Sequence, residues 1–346
     1  MLIGNYIGGD ALYNLRVGIY GIEVSFRFIA NQTTKITHLR YFNAFSYEKP
    51  GYHLGTGGKI NIRIATNGIN NNPSDIVLAT ADIPNPLSVG KFPLVKLTNP
   101  ISIEKGKIYH IVFKNYDSQP DKNYVSVNSM SVFDKTQPFI QPNDLSVLFK
   151  SNYNNWKRFE SELLVPIFTL YNDINPILGY SGMESWLREP RHISLNRKVR
   201  ERFISDKDYM VNGVWVRIGK NGIPQDLTCS LMNKGIALTK KSIPSISINT
   251  IKTVNGYRLG HNWVYIKFDS PVKIFSGNEY YILFENNGLD SYEVFPIRDG
   301  ESFGFIPLWS NSYAEYSIDN QTWVGWDAFG ATNLKFGKLQ TCLEVQ

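Results

Sequence analysis

Apolar and polar residues alternate over short stretches along the chain, and the period of two recurs almost from end to end. Val24–Phe45 (VSFRFIANQTTKITHLRYFNAF), Asn123–Asn128 (NYVSVN) and Lys198–Ser205 (KVRERFIS) put every second side chain on one face, the pattern of half-buried β-strands. Helical periodicity is nearly absent. Polar or glycine-rich breaks separate the runs: Asn31–Thr33, Tyr47–Lys59 (YEKPGYHLGTGGK), Asn67–Ser74 (NGINNNPS) and Asp319–Thr322. About eight short strands per half with frequent turns predict an all-β chain of antiparallel β-sandwiches. The strand count and long crossing loops favour a jelly-roll-like sandwich over an immunoglobulin-like one, whose Cys–Trp–Cys pattern is missing.

One stretch is written twice. Pro100–Asn115 (PISIEKGKIYHIVFKN) matches Pro271–Asn286 (PVKIFSGNEYYILFEN) without a gap, the Pro, Ile, Gly, Tyr, Ile, Phe and Asn coinciding at 100/271, 103/274, 106/277, 109/280, 111/282, 113/284 and 115/286. Each copy reads as a hairpin whose turn is closed by Gly106 or Gly277. The spacing, 271 − 100 = 171 residues, is too long for a solenoid. It predicts two tandem β-sandwich domains related by internal duplication, residues 1–172 and 173–346. Trp156 and Trp323, offset by 323 − 156 = 167, fall at equivalent places, each just after an Asn-rich turn.

Twenty Tyr, twenty Phe and seven Trp suit sheets. The formal charge of +6 comes from Lys and Arg scattered singly, which argues against a nucleic-acid surface. No segment reads as a membrane span, and MLIGNYIGGDALYNL lacks the basic start and apolar run of a secretory signal. Cys229 and Cys342 sit in apolar alternating runs, where a buried free thiol is commoner than a bridge. There is no C-x-x-C pair, phosphate-binding glycine loop or H-E-x-x-H, and the expectation is a chain without catalysis. No metal site or cofactor is expected; a structural calcium in loop oxygens is the one addition the Asp and Asn supply allows, though no D-x-D-x-D cluster appears.

The runs GTGGKINIRIATNGINNNPSDIVLATADI, FPLVKLTNPISIEKGKIYHIVFKN and NYVSVNS, with VRERFI, FPIRDG and AEYSIDNQTWVGW in the second half, resemble the carbohydrate-binding-module-like β-sandwich repeats of bacteriophage tail and spike proteins and of bacterial surface proteins. The resemblance runs from about Gly18 to Val345 and rests on turns and strands. It implies glycan binding, adhesion or packing into a virion, and transfers no binding residues.

From the residues themselves, Trp323 and Trp326 in DNQTWVGW, with Asp319 beside them, are the sharpest glycan candidates, since aromatic faces stack on sugar rings while carboxylates take hydroxyls. Trp156 is the equivalent of Trp323; the competing role for both is to plug the end of a sandwich. Tyr52 and His53 stand on the glycine-rich loop Gly51–Gly58, expected to project from the fold. Arg298–Gly300 reads as a turn, and Glu184, Glu201, Asp206 and Asp208 are carboxylates that nothing pairs into a glycosidase acid and base.

The expectation is therefore a non-catalytic structural or adhesion protein of a viral (phage) particle or cell surface. Its partners would be a glycan or host-surface receptor and other copies of itself or other virion proteins, in a homo-oligomer, without nucleic acid or membrane insertion. Alternatives are a purely architectural virion protein and an accessory module of a polysaccharide-degrading enzyme.

Overall fold

The computed structural model describes residues 2–5, 11–30, 32–44, 52–90, 92–132, 145–151, 155–158, 163–173, 175–180, 191–254, 257–294, 296–297, 312–325, 338–339 and 341–346. The fold is all-β, and every pairing between its described strands is antiparallel. Helical structure among the described residues is confined to three-residue 3-10 turns at Ile19–Gly21, Ile69–Asn71 and Ser245–Ser247. The described residues divide into two compact units. The amino-terminal unit holds residues 11–180; the carboxy-terminal unit holds the later residues and the strand Leu2–Asn5.

Each unit contains a six-stranded sheet of the same order. In the amino-terminal unit it runs Lys157–Arg158, Leu145–Lys150, Glu23–Ile29, Ile108–Asn115, Ile60–Asn67, Pro73–Ile83. In the carboxy-terminal unit it runs Val324–Gly325, Tyr313–Ser317, Lys198–Ile204, Glu279–Glu285, Leu227–Asn233, Ile236–Ile243. The facing sheets also correspond: Phe168–Asn172, Thr34–Tyr41 and Leu94–Ile103 in one, Thr341–Val345, Tyr209–Asn221 and Asn262–Ile274 in the other. Two of the irregularities match as well. Register shifts fall between Ile36 and His38 and between Val211 and Gly213, and again between Ile64 and Ala65 and between Leu231 and Met232.

The doubled stretch is not a hairpin. Leu94–Ile103 pairs with Thr34–Tyr41, whereas Ile108–Asn115 pairs with Glu23–Ile29 and Ile60–Asn67, so the intervening turn carries the chain from one sheet to the other. Asn262–Ile274 and Glu279–Glu285 are divided between sheets in the same way, as are the two strands of Val24–Phe45. A period of two reports one buried face; it does not say which strand lies alongside.

The repeated residues are those the crossing needs. Gly106 (φ 82°) and Gly277 (φ 76°) take the left-handed conformation, and their amides donate to Ala30 O at 2.8 Å and Ser205 O at 2.7 Å. The Tyr109 hydroxyl accepts from Glu104 N at 3.0 Å and that of Tyr280 from Phe275 N at 2.8 Å, so each tyrosine fastens the turn before it. The buried amides at the far end tie strand to loop. Asn115 donates to Val17 O at 3.3 Å and Asn123 O at 2.7 Å; Asn286 donates to Ile193 O at 3.4 Å and Asp290 O at 2.7 Å and accepts from Gly288 N at 2.9 Å. Asn286→Ala is expected to lower the stability of the carboxy-terminal unit by roughly 2 kcal/mol, because it strands the buried Ile193 carbonyl as well as removing the other bonds. A urea titration read by hydrogen exchange over residues 191–294 measures it, and unchanged protection would refute the clamp.

The interiors differ. In the amino-terminal unit Phe26 lies 5.0 Å from Phe113 and 6.3 Å from Phe168, Phe28 lies 5.2 Å from Phe168, and Tyr41 lies 5.1 Å from Phe113, a cluster of rings joining the two sheets. Phe26 stands opposite Ile111; opposite the matching Ile282 stands Glu201. Its carboxylate is fully buried and accepts the Leu339 amide at 2.8 Å. Cys229 and Cys342 are buried free thiols, on facing sheets.

Candidate functional site

The strand Lys198–Ile204 (KVRERFI) alternates inward Val199, Glu201 and Phe203 with outward Lys198, Arg200 and Arg202. The outward cations meet aromatic and acidic side chains from the neighbouring strands. Arg200 Cζ lies 3.9 Å from the centroid of Trp323 and 4.3 Å from that of Tyr281, while its Nε donates to Glu315 Oε2 at 2.6 Å. Arg202 lies 5.0 Å from the Tyr313 ring and donates to Glu279 at 2.5 Å. Lys198 Nζ pairs with Glu285 at 2.5 Å. Burial opposes the ionisation of Glu279, but the Tyr281 hydroxyl and the Arg202 guanidinium outweigh it and hold the carboxyl below its usual range.

Trp323 thus stands beside the edge strand Val324–Gly325, half-buried, with a guanidinium over one face of its ring. Trp156 stands at the equivalent register beside Lys157–Arg158, with Lys150 Nζ 5.1 Å from its centroid. Neither tryptophan belongs to the fully buried interior. A cation over an indole is a favourable contact, so a sugar stacking there would use the opposite ring face or displace the cation. Asp319 is exposed and closes the turn before Trp323: its Oδ1 accepts from Gln321 N at 2.9 Å, Thr322 N at 2.7 Å and Ser317 Oγ at 3.0 Å. Those two amides hold its carboxyl well below the usual range. Trp326, Arg298–Gly300 and Glu184 lie outside the described residues.

Tyr52 and His53 are held against the sheet instead of projecting from it. His53–Leu54 pairs with Tyr124 and Val125, and the Ser126 hydroxyl donates to Tyr52 O at 2.7 Å. Thr56 N donates to Asn123 Oδ1 at 3.1 Å, and a Cβ on Gly58 would come within 2.5 Å of Asn115. Among the described glycines of this loop, Gly58 serves close packing against Asn115.

The three described carboxylates among those weighed for catalysis have structural partners. Glu201 lies in the interior; Asp206 accepts from Tyr209 Oη at 3.0 Å, and Asp208 from Ser276 N at 2.9 Å. Among the described residues no group of three or more His, Cys, Asp and Glu side chains is placed to hold a metal ion.

Two features escaped the sequence reading. Arg200 was legible only as one cation of the VRERFI alternation. The other feature is a half-buried stacked pair, Trp215 and Tyr265, with centroids 4.9 Å apart at 27° and the tyrosine hydroxyl donating to Glu344. Gly213 makes room for it, since a Cβ there would meet the Tyr265 ring at 2.8 Å.

Among the described residues no helix is long and apolar enough to cross a membrane. No protein-family model matches the chain, and no curated protein matches it in sequence.

Proposed function

We propose that the chain is a non-catalytic contact protein of a viral particle or cell surface, which engages glycans through the tryptophan-bearing edges of its two six-stranded sheets. The observation that carries this is the matched placement of Trp156 and Trp323. Each indole immediately precedes an edge strand at the same register, is only half-buried, and has a cation beside it that can also donate to hydroxyls. Two such edges on one chain, and more on an oligomer, would raise a weak single-sugar affinity by linkage.

A glycan array with Trp156→Ala, Trp323→Ala and the double variant tests the proposal. Each single variant is expected to lose about tenfold in apparent affinity, close to 1.4 kcal/mol, and the double variant to fall to background while melting like the wild type. Absence of binding by the wild type under multivalent display would sink it.

A second reading, a purely architectural virion protein, is favoured by the outer strands. Ile236 is 69% exposed on Ile236–Ile243, and Ile76 is 64% exposed on the corresponding strand Pro73–Ile83. Exposed apolar side chains on edge strands suit packing against neighbouring subunits. Recovery of the protein in purified particles, with a silent array, would select this reading.

A further inference from the structure

The strand beside Thr341–Val345 comes from the other end of the sequence. Leu2–Asn5 pairs with it antiparallel, Gly4 opposite Cys342 and Ile3 opposite Leu343. The amino-terminal unit has a strand at the same place: Asn175–Tyr180 pairs with Phe168–Asn172, Gly179 opposite Thr169 and Leu178 opposite Leu170. Leu170 in turn lies opposite Leu39, and Leu343 opposite the corresponding Val214, so the two closing strands share one register. Their sequences agree as well, LIGN against ILGY.

The two strands differ in their tether. Only Asp173 and Ile174 separate Asn175–Tyr180 from the strand it covers, a local connection that makes pairing within the chain almost unavoidable. Leu2–Asn5 is separated from its partner by 341 − 5 = 336 positions. A remote tether provides a much lower effective concentration than a two-residue turn, so a second copy at high concentration competes for the same edge. Exchange costs no contact, because an identical strand makes identical hydrogen bonds. Without a strand there, Thr341–Val345 would present an unpaired row of amides and carbonyls, which drives the edge to be filled by something.

We propose that Leu2–Asn5 is an exchangeable closing strand, taken by the carboxy-terminal unit either from its own chain or from a second copy of this chain. The proposal is independent of glycan binding. It supplies a means of linking copies through main-chain pairing at one defined edge.

Directly opposed residues of an antiparallel pair have Cα atoms about 4.5–5.5 Å apart, within the span of a disulfide. Gly4→Cys in the full chain should therefore bond to the native Cys342. At high dilution the oxidised product is expected to be a closed monomer on a non-reducing gel, with the 4–342 bond found by peptide mapping. For exchange, a Gly4→Cys/Cys342→Ser chain is unfolded together with wild-type chain and refolded under oxidation at increasing concentration. A 4–342 disulfide heterodimer whose fraction rises with concentration supports the proposal. No heterodimer at any concentration, alongside efficient closure of the Gly4→Cys chain on itself, overturns it; failure of that chain to close when folded overturns the pairing. If the cysteine variants do not fold, deletion of Leu2–Asn5 gives the answer. Exchange protection of Thr341–Val345 should fall and be restored by co-refolding with intact chain, and no restoration overturns the proposal.

Discussion

Replacing Phe26 by alanine is expected to lower the stability of the amino-terminal unit by about 4 kcal/mol, the largest effect of any single truncation considered. The ring is fully buried, lies edge-on to Phe113 within its own sheet and stacks towards Phe168 on the facing one. Its loss therefore removes apolar burial, two aromatic contacts and one of the links between layers, and leaves a cavity that rigid neighbouring strands cannot close. Hydrogen exchange in increasing urea locates the change: amides of residues 23–29 and 108–115 should open at lower denaturant, while those of residues 198–204 and 279–285 keep their wild-type midpoint. A loss below about 1 kcal/mol would mean that the ring cluster does not hold the sheets together.

Acid should weaken the same unit through His110. Its imidazole is fully buried between Ser25 Oγ, 3.1 Å from Nδ1, and Asn67 Oδ1, 3.0 Å from Nε2. An amide oxygen can only accept, and the Asn67 amide is oriented by its own donation to Asn71 Oδ1 at 3.0 Å. Nε2 therefore carries the proton and Nδ1 accepts from the serine, an arrangement that uses the neutral ring completely. Burial, aided by the charge of Arg27, pushes the imidazole down to about 3. An unfolded chain takes up that proton near pH 6.5. The stabilisation is thus fully present above about pH 6.5 and drains away as pH falls towards 3, by on the order of 3 kcal/mol between pH 7 and pH 4. Urea midpoints over that range should decline with a slope approaching one proton, and His110→Gln should flatten the slope even though it lowers stability at pH 7. A His110→Gln profile parallel to that of the wild type would place the acid sensitivity elsewhere.

Much of the strand pattern was legible in the sequence, because a sheet with one buried face writes its period directly into the chain. Val199, Glu201 and Phe203 alternate inward as the periodicity requires. What stayed hidden was everything set by partners remote in sequence. The doubled stretch looked like a hairpin since strand, glycine turn and strand is also how a chain passes between sheets. The repetition of Asn115 at Asn286 was plain, but its task of joining a first strand to a loop depends on carbonyls that no local window contains. The indole candidates were found by composition and turn context, whereas the guanidinium over Trp323 comes from a strand on the far side of the domain's sequence. Glu201 is the strongest warning. A carboxylate inside a sandwich has the periodicity of a core residue and the chemistry of a surface one, and the Leu339 amide that it accepts lies 138 positions away in the chain.

The position of Trp156 has a practical consequence. It is the one indole between residues 11 and 182, while the other six lie beyond. Ultraviolet emission of the whole protein is consequently dominated by its later half, and a Trp156→Phe chain would be optically silent in the earlier half. Subtracting the two spectra isolates a single lamp at the sheet margin, dimmed or brightened according to whether Lys150 still rests above it.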